Sequence, residues 1–252
     1  LQVNDALRSL ALLTLVGLNL AWATGATLLN RGALLHIVQA QCLVHWQSQR
    51  LPAPCLQMTL PDPGGLQDGY AVLADRKGGA HFLLIPTRAI SGIESPVLLE
   101  QATPNYFSAA WEARTFVEKS LARSVPRDAV GLAINARRSR GQDQLHIHIE
   151  CLGPELKAEL HALSWPDDDQ WHRIPLGRFR YQALRIDGES LGATDPFKRV
   201  ARDLPDAASD MGAYTLLVAG WNFVDGPGFI VVASPTAPGS ETLLDSSCAV
   251  VH

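Results

Sequence analysis

The chain has 252 residues, 47% of them hydrophobic, enough for one sizeable core or one domain with an appended anchor. Its formal net charge is −4 and its pI near 6.1, which excludes a broad nucleic-acid surface. The arginines gather instead between Arg137 and Arg140, a local patch suited to a small anionic ligand.

From Ser9 to Leu29 there is no charged residue, and Arg8 and Arg31 bracket the run. It is long enough to cross a hydrocarbon core, which takes ~20 helical residues. Ala21-Trp22-Ala23 resembles a cleavage site, but the apolar run continues to Leu29. Residues 1–32 are therefore expected to form an uncleaved transmembrane anchor and residues 33–252 the functional domain. Leu34 to Trp46 has helical spacing, and Gln49 to Gln67 is a proline- and glycine-rich connection. Tyr70–Ala74 and His81–Pro86 read as a hairpin around the turn Asp75-Arg76-Lys77-Gly78-Gly79. Asn105 to Leu121 predicts a helix, with Pro104 and Asn105 at its start. Val130–Asn135 predicts a buried strand, followed by the cationic loop, a strand from Leu145 to Leu152 and a helix from Pro154 to Leu163. Beyond an acidic loop at Trp165–His172, the spacing predicts a strand at Tyr181–Ile186 and a helix at Pro196–Leu204. Tyr214–Ala219 and Phe229–Ala233 read as paired strands. The pattern is α+β with a mostly antiparallel sheet and packed helices, and it holds no internal repeat.

Cys42, Cys55, Cys151 and Cys248 all follow the apolar segment, which predicts disulfides in an oxidising compartment. Four cysteines allow three pairings. Local closure favours Cys42 with Cys55 across Pro52 and Pro54, which leaves Cys151 with Cys248.

The stretch with most chemistry is Gln144-Leu145-His146-Ile147-His148-Ile149-Glu150-Cys151. Strand alternation puts Leu145, Ile147 and Ile149 on one face and Gln144, His146, His148 and Glu150 on the other. The histidine pair fits a solvated strand edge, a metal site, or nucleophilic attack on phosphorus. A metal would need a third ligand from Glu150, His81, His161 or His172, and the nearby arginines would repel a cation. Nucleophilic catalysis accounts for both the strand and the basic loop and is the preferred reading. His81, His161 and His172 lack partner spacing and read as structural or surface residues.

Phe82-Leu83-Leu84-Ile85-Pro86-Thr87-Arg88-Ala89-Ile90 resembles the second hairpin strand of histidine-triad (HIT) nucleotide hydrolases and transferases. Ala133-Ile134-Asn135, the loop and Gln144–His148 resemble their signature strand pair. The stretches IPTRAISGIESP, PNYFSAAWEAR, LAINARRSRGQDQLHIHIECL and MGAYTLLVA resemble the CDP-diacylglycerol pyrophosphatases, a membrane-anchored branch of that superfamily. This resemblance covers most of the region after the apolar segment.

The resemblance implies a HIT-like fold and hydrolysis of CDP-diacylglycerol to CMP and phosphatidate through a nucleotidyl-histidine. It puts Gln144 in the first triad position, His146 as the nucleophile and His148 in the third position. The alternative frame, His146-His148-Glu150, makes His148 the nucleophile. Phosphate oxygens are expected on His148, Gln144, Asn135, Gln142 and Arg140, while Tyr70, Trp111 or Tyr214 would stack on cytosine if not in the core. No metal or cofactor is required, although a divalent ion can accompany the pyrophosphate. The expected partners are the lipid substrate and a membrane. The expected location is a bacterial inner membrane, single-pass, with the catalytic domain on the periplasmic side.

Overall fold

The computed structural model describes residues 31–251. A helical segment opens it. Helix α1, Ala33–Ile37, passes through a π turn at Val38–Cys42 into α2, Leu43–Gln49. Leu34, Val38 and Cys42 are its buried residues, the helical spacing that the sequence displays. Arg50 ends it in the left-handed conformation.

The rest is built on one antiparallel sheet. Its strands are β1 (Gln57–Thr59), β2 (Tyr70–Ala74), β3 (Phe82–Pro86), β4 (Val130–Ile134) and β5 (Ile147–Leu152). They are followed by β6 (His172–Leu176), β7 (Phe179–Asp187), β8 (Thr215–Phe223), β9 (Gly226–Ser234) and β10 (Leu244–Asp245). The spatial order is β1-β2-β3-β5-β4-β8-β9-β7-β6, with β10 paired to the end of β5. β5 is thus an interior strand, and all six of its residues are buried. The short helix α3, Gly65–Asp68, leads into β2.

The two faces of the sheet differ. On one face pack α4 (Tyr106–Glu112), α5 (Thr115–Leu121) and α7 (Pro196–Asp203). Phe107, Trp111, Val117, Phe197 and Val200 from these helices form the main core with Leu145, Ile147 and Ile149. The predicted Asn105–Leu121 helix is broken near Ala113. Arg114 donates its backbone N–H to the Trp111 carbonyl in a tighter turn, and α5 starts anew. Asn105 caps α4 by accepting the Ser108 N–H at 3.0 Å.

The other face carries two separate apolar clusters. One joins Leu34, Val38 and Cys42 of the opening helix to Ala71, Leu83 and Ile85. The other joins Leu152, Leu156 and Leu160 to β7, β8 and β9, with α6 (Pro154–His161) packed over it. Between them lies a polar strip on the same face. Leu83 and Ala133 both pair with His148, so residues 81, 83, 146, 148, 150, 133 and 135 point the same way.

Both disulfides form as local closure favoured, Cys42–Cys55 with Cα atoms 5.5 Å apart and Cys151–Cys248 at 5.1 Å. The expected transmembrane helix requires correction. Among the described residues no helix is long and apolar enough to cross a membrane, and Ser9–Leu29 lies outside them. The fold is therefore α+β with an antiparallel sheet. The single-pass inner-membrane location, which rested on that helix, is withdrawn with it. The Trp165–His172 loop also ends in a strand, β6, which pairs with β7 from His172 onward.

Candidate active site

The polar strip opens into a cleft of about 250 Å³. Leu34 and Ile37 of α1 form one wall, and Leu73, Asp75, Arg76 and Lys77 at the tip of the β2–β3 hairpin form another. His146, His148, Gln142 and Glu241 also line it. The strand reading is right about the shared face: the His146 and His148 rings have centroids 5.1 Å apart, and the intervening apolar residues enter the main core.

His146 sits just before β5 and is 8% exposed. Its Nδ1 lies 2.7 Å from the Gln144 main-chain carbonyl. A carbonyl only accepts, so Nδ1 carries the proton and Nε2 keeps its lone pair. Burial lowers the His146 pKa below its ordinary value, although the bond to Gln144 works the other way. The imidazole is therefore neutral at pH 7, with Nε2 unprotonated.

His148 is buried behind it. Its Nδ1 is 2.9 Å from His81 Nε2, and its Nε2 faces Glu241 Oε2 at 3.2 Å without hydrogen-bond alignment. His81 Nε2 lies 3.0 Å from Glu150 Oε1, and His81 Nδ1 lies 3.8 Å from Asp75 Oδ1. Burial pushes the His148 pKa well below its ordinary value, helped by His146 and His81. Burial also lowers the His81 pKa and raises the Glu150 carboxyl to about 8. These groups stand in a buried row, from Glu150 through His81 to His148.

His81, His148 and Glu150 are the group among the described residues able to share a metal ion, with donor atoms within 4.8 Å of one another. Their closest separations, 2.9 and 3.0 Å, are hydrogen-bond distances. Donors around a tetrahedral zinc stand about 3.3 Å apart, given bonds of ~2.0–2.1 Å.

The remaining residues singled out from the sequence occupy different positions. Gln142 reaches the cleft and accepts the Leu34 N–H at 3.3 Å. Gln144 is 1% exposed and turned to the main chain. Its amide donates to the carbonyls of Pro86 and Arg88, and its Oε1 accepts the Ile90 N–H. Asn135 holds a different loop, accepting the Glu241 N–H at 3.3 Å. Arg140 turns away from the cleft and is committed to Glu94 and Asp143. Arg138 binds the Ala213 and Ala237 carbonyls, and Arg137 pairs with Asp210 at 3.7 Å. The basic loop is therefore a brace, and the cations at the cleft are Arg76 and Lys77.

A family model, CDP-diacylglycerol pyrophosphatase, matches residues 29–252. A CDP-diacylglycerol pyrophosphatase of Yersinia pestis is 37% identical over 230 residues, spanning 88% of this chain and 86% of that protein. The chain belongs to the CDP-diacylglycerol pyrophosphatase family.

Sequence reasoning missed three contributors to the site of this CDP-diacylglycerol pyrophosphatase family member. His81, read as structural or surface, is brought to His148 by the β3–β5 pairing, across 67 positions of sequence. Lys77 was visible only as part of a turn. Glu241 lies in a 3₁₀ turn, Ser240–Leu243, with no periodic pattern to mark it. Tyr106, Trp111 and Tyr214 are buried in the main core, so Trp111 and Tyr214 do not offer a face to a base. Tyr70 packs at the margin of that core.

Proposed function

We propose that His146 is the nucleophile in hydrolysis of the pyrophosphate bond of CDP-diacylglycerol. The observation that carries this reading is the bond from His146 Nδ1 to the Gln144 carbonyl, which leaves Nε2 unprotonated at the cleft. Nε2 attacks the α-phosphorus of the CMP half, and the bond to the bridging oxygen breaks. Phosphatidate leaves with that electron pair, and cytidylate remains on His146. Water then takes the phosphorus and returns the electron pair to Nε2, which splits one hard step into two.

His148 points Nε2 toward the cleft, and its hydrogen-bond relation to His81 through Nδ1 supports an Nε2–H available to a phosphoryl oxygen. Lys77, Arg76 and Gln142 supply further positive charge and donors at the mouth. Asn135, Gln144 and Arg140 act behind these groups by fixing the loops that carry Glu241, Ile90 and Glu94. The scheme requires no metal. A divalent ion accompanying the substrate pyrophosphate is compatible with it.

The test is His146→Ala, assayed with CDP-diacylglycerol labelled in the CMP phosphate. Turnover should fall by about 10³-fold or more while the melting curve is kept, and the acid-labile adduct of the wild type should vanish. Near-normal turnover in this variant rejects the assignment. An adduct that maps to His148 instead selects the other frame.

A further inference from the structure

We infer that Glu241 is the general base that activates water in the second step, the release of CMP from His146. The inference rests on the nucleotidyl-histidine reading above and adds a residue to it. Three carboxylates surround the histidine row, and they are not equivalent. Glu150 is 5% exposed and sits behind His81, away from the cleft. Asp75 lines the cleft, but its Oδ1 accepts the Lys77 N–H at 2.7 Å within its own turn. Glu241 lines the cleft with both histidines, and its Oε2 is 3.2 Å from His148 Nε2 and 3.6 Å from Lys77 Nζ. Its side chain remains 29% exposed, so water reaches it.

The carboxylate is also held in place by its main chain. The Glu241 N–H donates to Asn135 Oδ1 at 3.3 Å. One residue earlier, the Ser240 N–H donates to Thr215 Oγ1 at 2.7 Å, and that hydroxyl is bonded to the Ile134 carbonyl. Gly239 approaches Asn135 so closely that a Cβ there would strike its carboxamide. The turn is therefore fastened to the end of β4, which pairs with the histidine strand, and to the start of β8 beyond it.

Carboxylate charge beside the phosphate site is unfavourable for binding a pyrophosphate. Its placement is explained by what remains after phosphatidate has left. The adduct carries one phosphoryl group, and the vacated space beside His148 and Glu241 admits a water. A lone pair of that water forms the new bond to phosphorus, and the P–Nε2 bond breaks with its electrons returning to His146. The proton of the attacking water passes to Glu241, which releases it to solvent. Atoms and charge balance with no further reactant.

The experiment is rapid-quench kinetics on wild type, Glu241→Gln and Glu241→Asp, with label in the CMP phosphate and phosphatidate measured in parallel. For Glu241→Gln we expect one equivalent of phosphatidate in a burst and accumulation of labelled protein. Steady-state turnover should fall by about 10²–10⁴-fold, the usual contribution of a general base. Glu241→Asp should recover part of the turnover. The burst itself reports a folded first-step site. Unchanged turnover in Glu241→Gln overturns the proposal, and so does loss of burst and turnover together without adduct. If wild type and variants alike show neither burst nor labelled protein, it is the nucleotidyl-histidine itself that fails.

Discussion

At the residue scale the site depends on desolvation. Burial lowers the His146 pKa, so protonation would remove the proposed nucleophile only below the ordinary histidine range. The acid limb of kcat/KM is therefore expected below pH 6.5. A limb centred above the ordinary value would contradict the assigned environment. Glu150 moves the other way, from 4.5 to about 8, through burial. Lys77 opposes that rise, while Glu241, Asp75 and Asp245 add to it. A raised carboxyl pKa contributes stability that is fully present below about pH 4.5 and is lost as pH climbs through 8. Glu150→Gln removes this dependence. Its melting temperature should gain on the wild type between pH 5 and 9, by an amount worth about 2–4 kcal/mol at the alkaline end. Parallel melting curves of the two proteins across that range would reject the assignment. The alternation of Gln144, His146, His148 and Glu150 made the shared face legible in the sequence. The roles along that face were not legible, because Gln144 satisfies backbone groups of a loop more than fifty positions away.

At the element scale, legibility followed how local each signal was. The β2–β3 hairpin, the helix at Pro154 and the β8–β9 pair carry their periodicity and turn residues within one stretch. β6 did not, because its buried Ile174 and Leu176 are interleaved with exposed Arg173 and Pro175 after an acidic run. β1 and β10 are three and two residues long, too short to show a period. Glu241 and His81 reach the site through register and through a 3₁₀ turn, neither of which a one-chain pattern displays. The sheet also depends on close approach of α4. At Gly220 in β8 a Cβ would meet the Trp111 ring and lie 2.6 Å from the Arg127 carbonyl. The Arg127 guanidinium stacks 4.8 Å from the Trp111 ring and 4.4 Å from the Phe229 ring, so neither neighbour yields easily. Gly220→Ala should cost about 1–3 kcal/mol in denaturant unfolding through overpacking. A neutral result would show that the α4–β8 contact is looser than the structure describes.

At the scale of the whole molecule, two cross-links brace the polar strip. Cys42–Cys55 closes the opening helix over the first sheet edge, and Cys151–Cys248 fastens the C-terminal segment to the histidine strand. The second spans 97 residues, for which the chain-entropy model gives about 4–5 kcal/mol. Unfolded, unreduced protein should show no titratable thiol, since none of the four cysteines is free. Cys151→Ala with Cys248→Ala should lower stability by up to that amount, read as a shift in denaturant midpoint. It should also lower turnover, because the tethered segment continues from the turn that bears Glu241. Four reactive thiols, or an unchanged midpoint, would contradict this account.

The tether also sets an order of events during synthesis. The histidine strand leaves the ribosome about ninety residues ahead of the turn at Ser240–Leu243, and Cys151 waits almost a hundred residues for Cys248. Until β8 pairs with β4, nothing holds Thr215 where it can receive Ser240. A growing chain that already contains His146 and His148 is therefore still an incomplete site. It lacks the carboxylate proposed to activate water until its last few dozen residues have been threaded back across the sheet and sealed by the second cross-link.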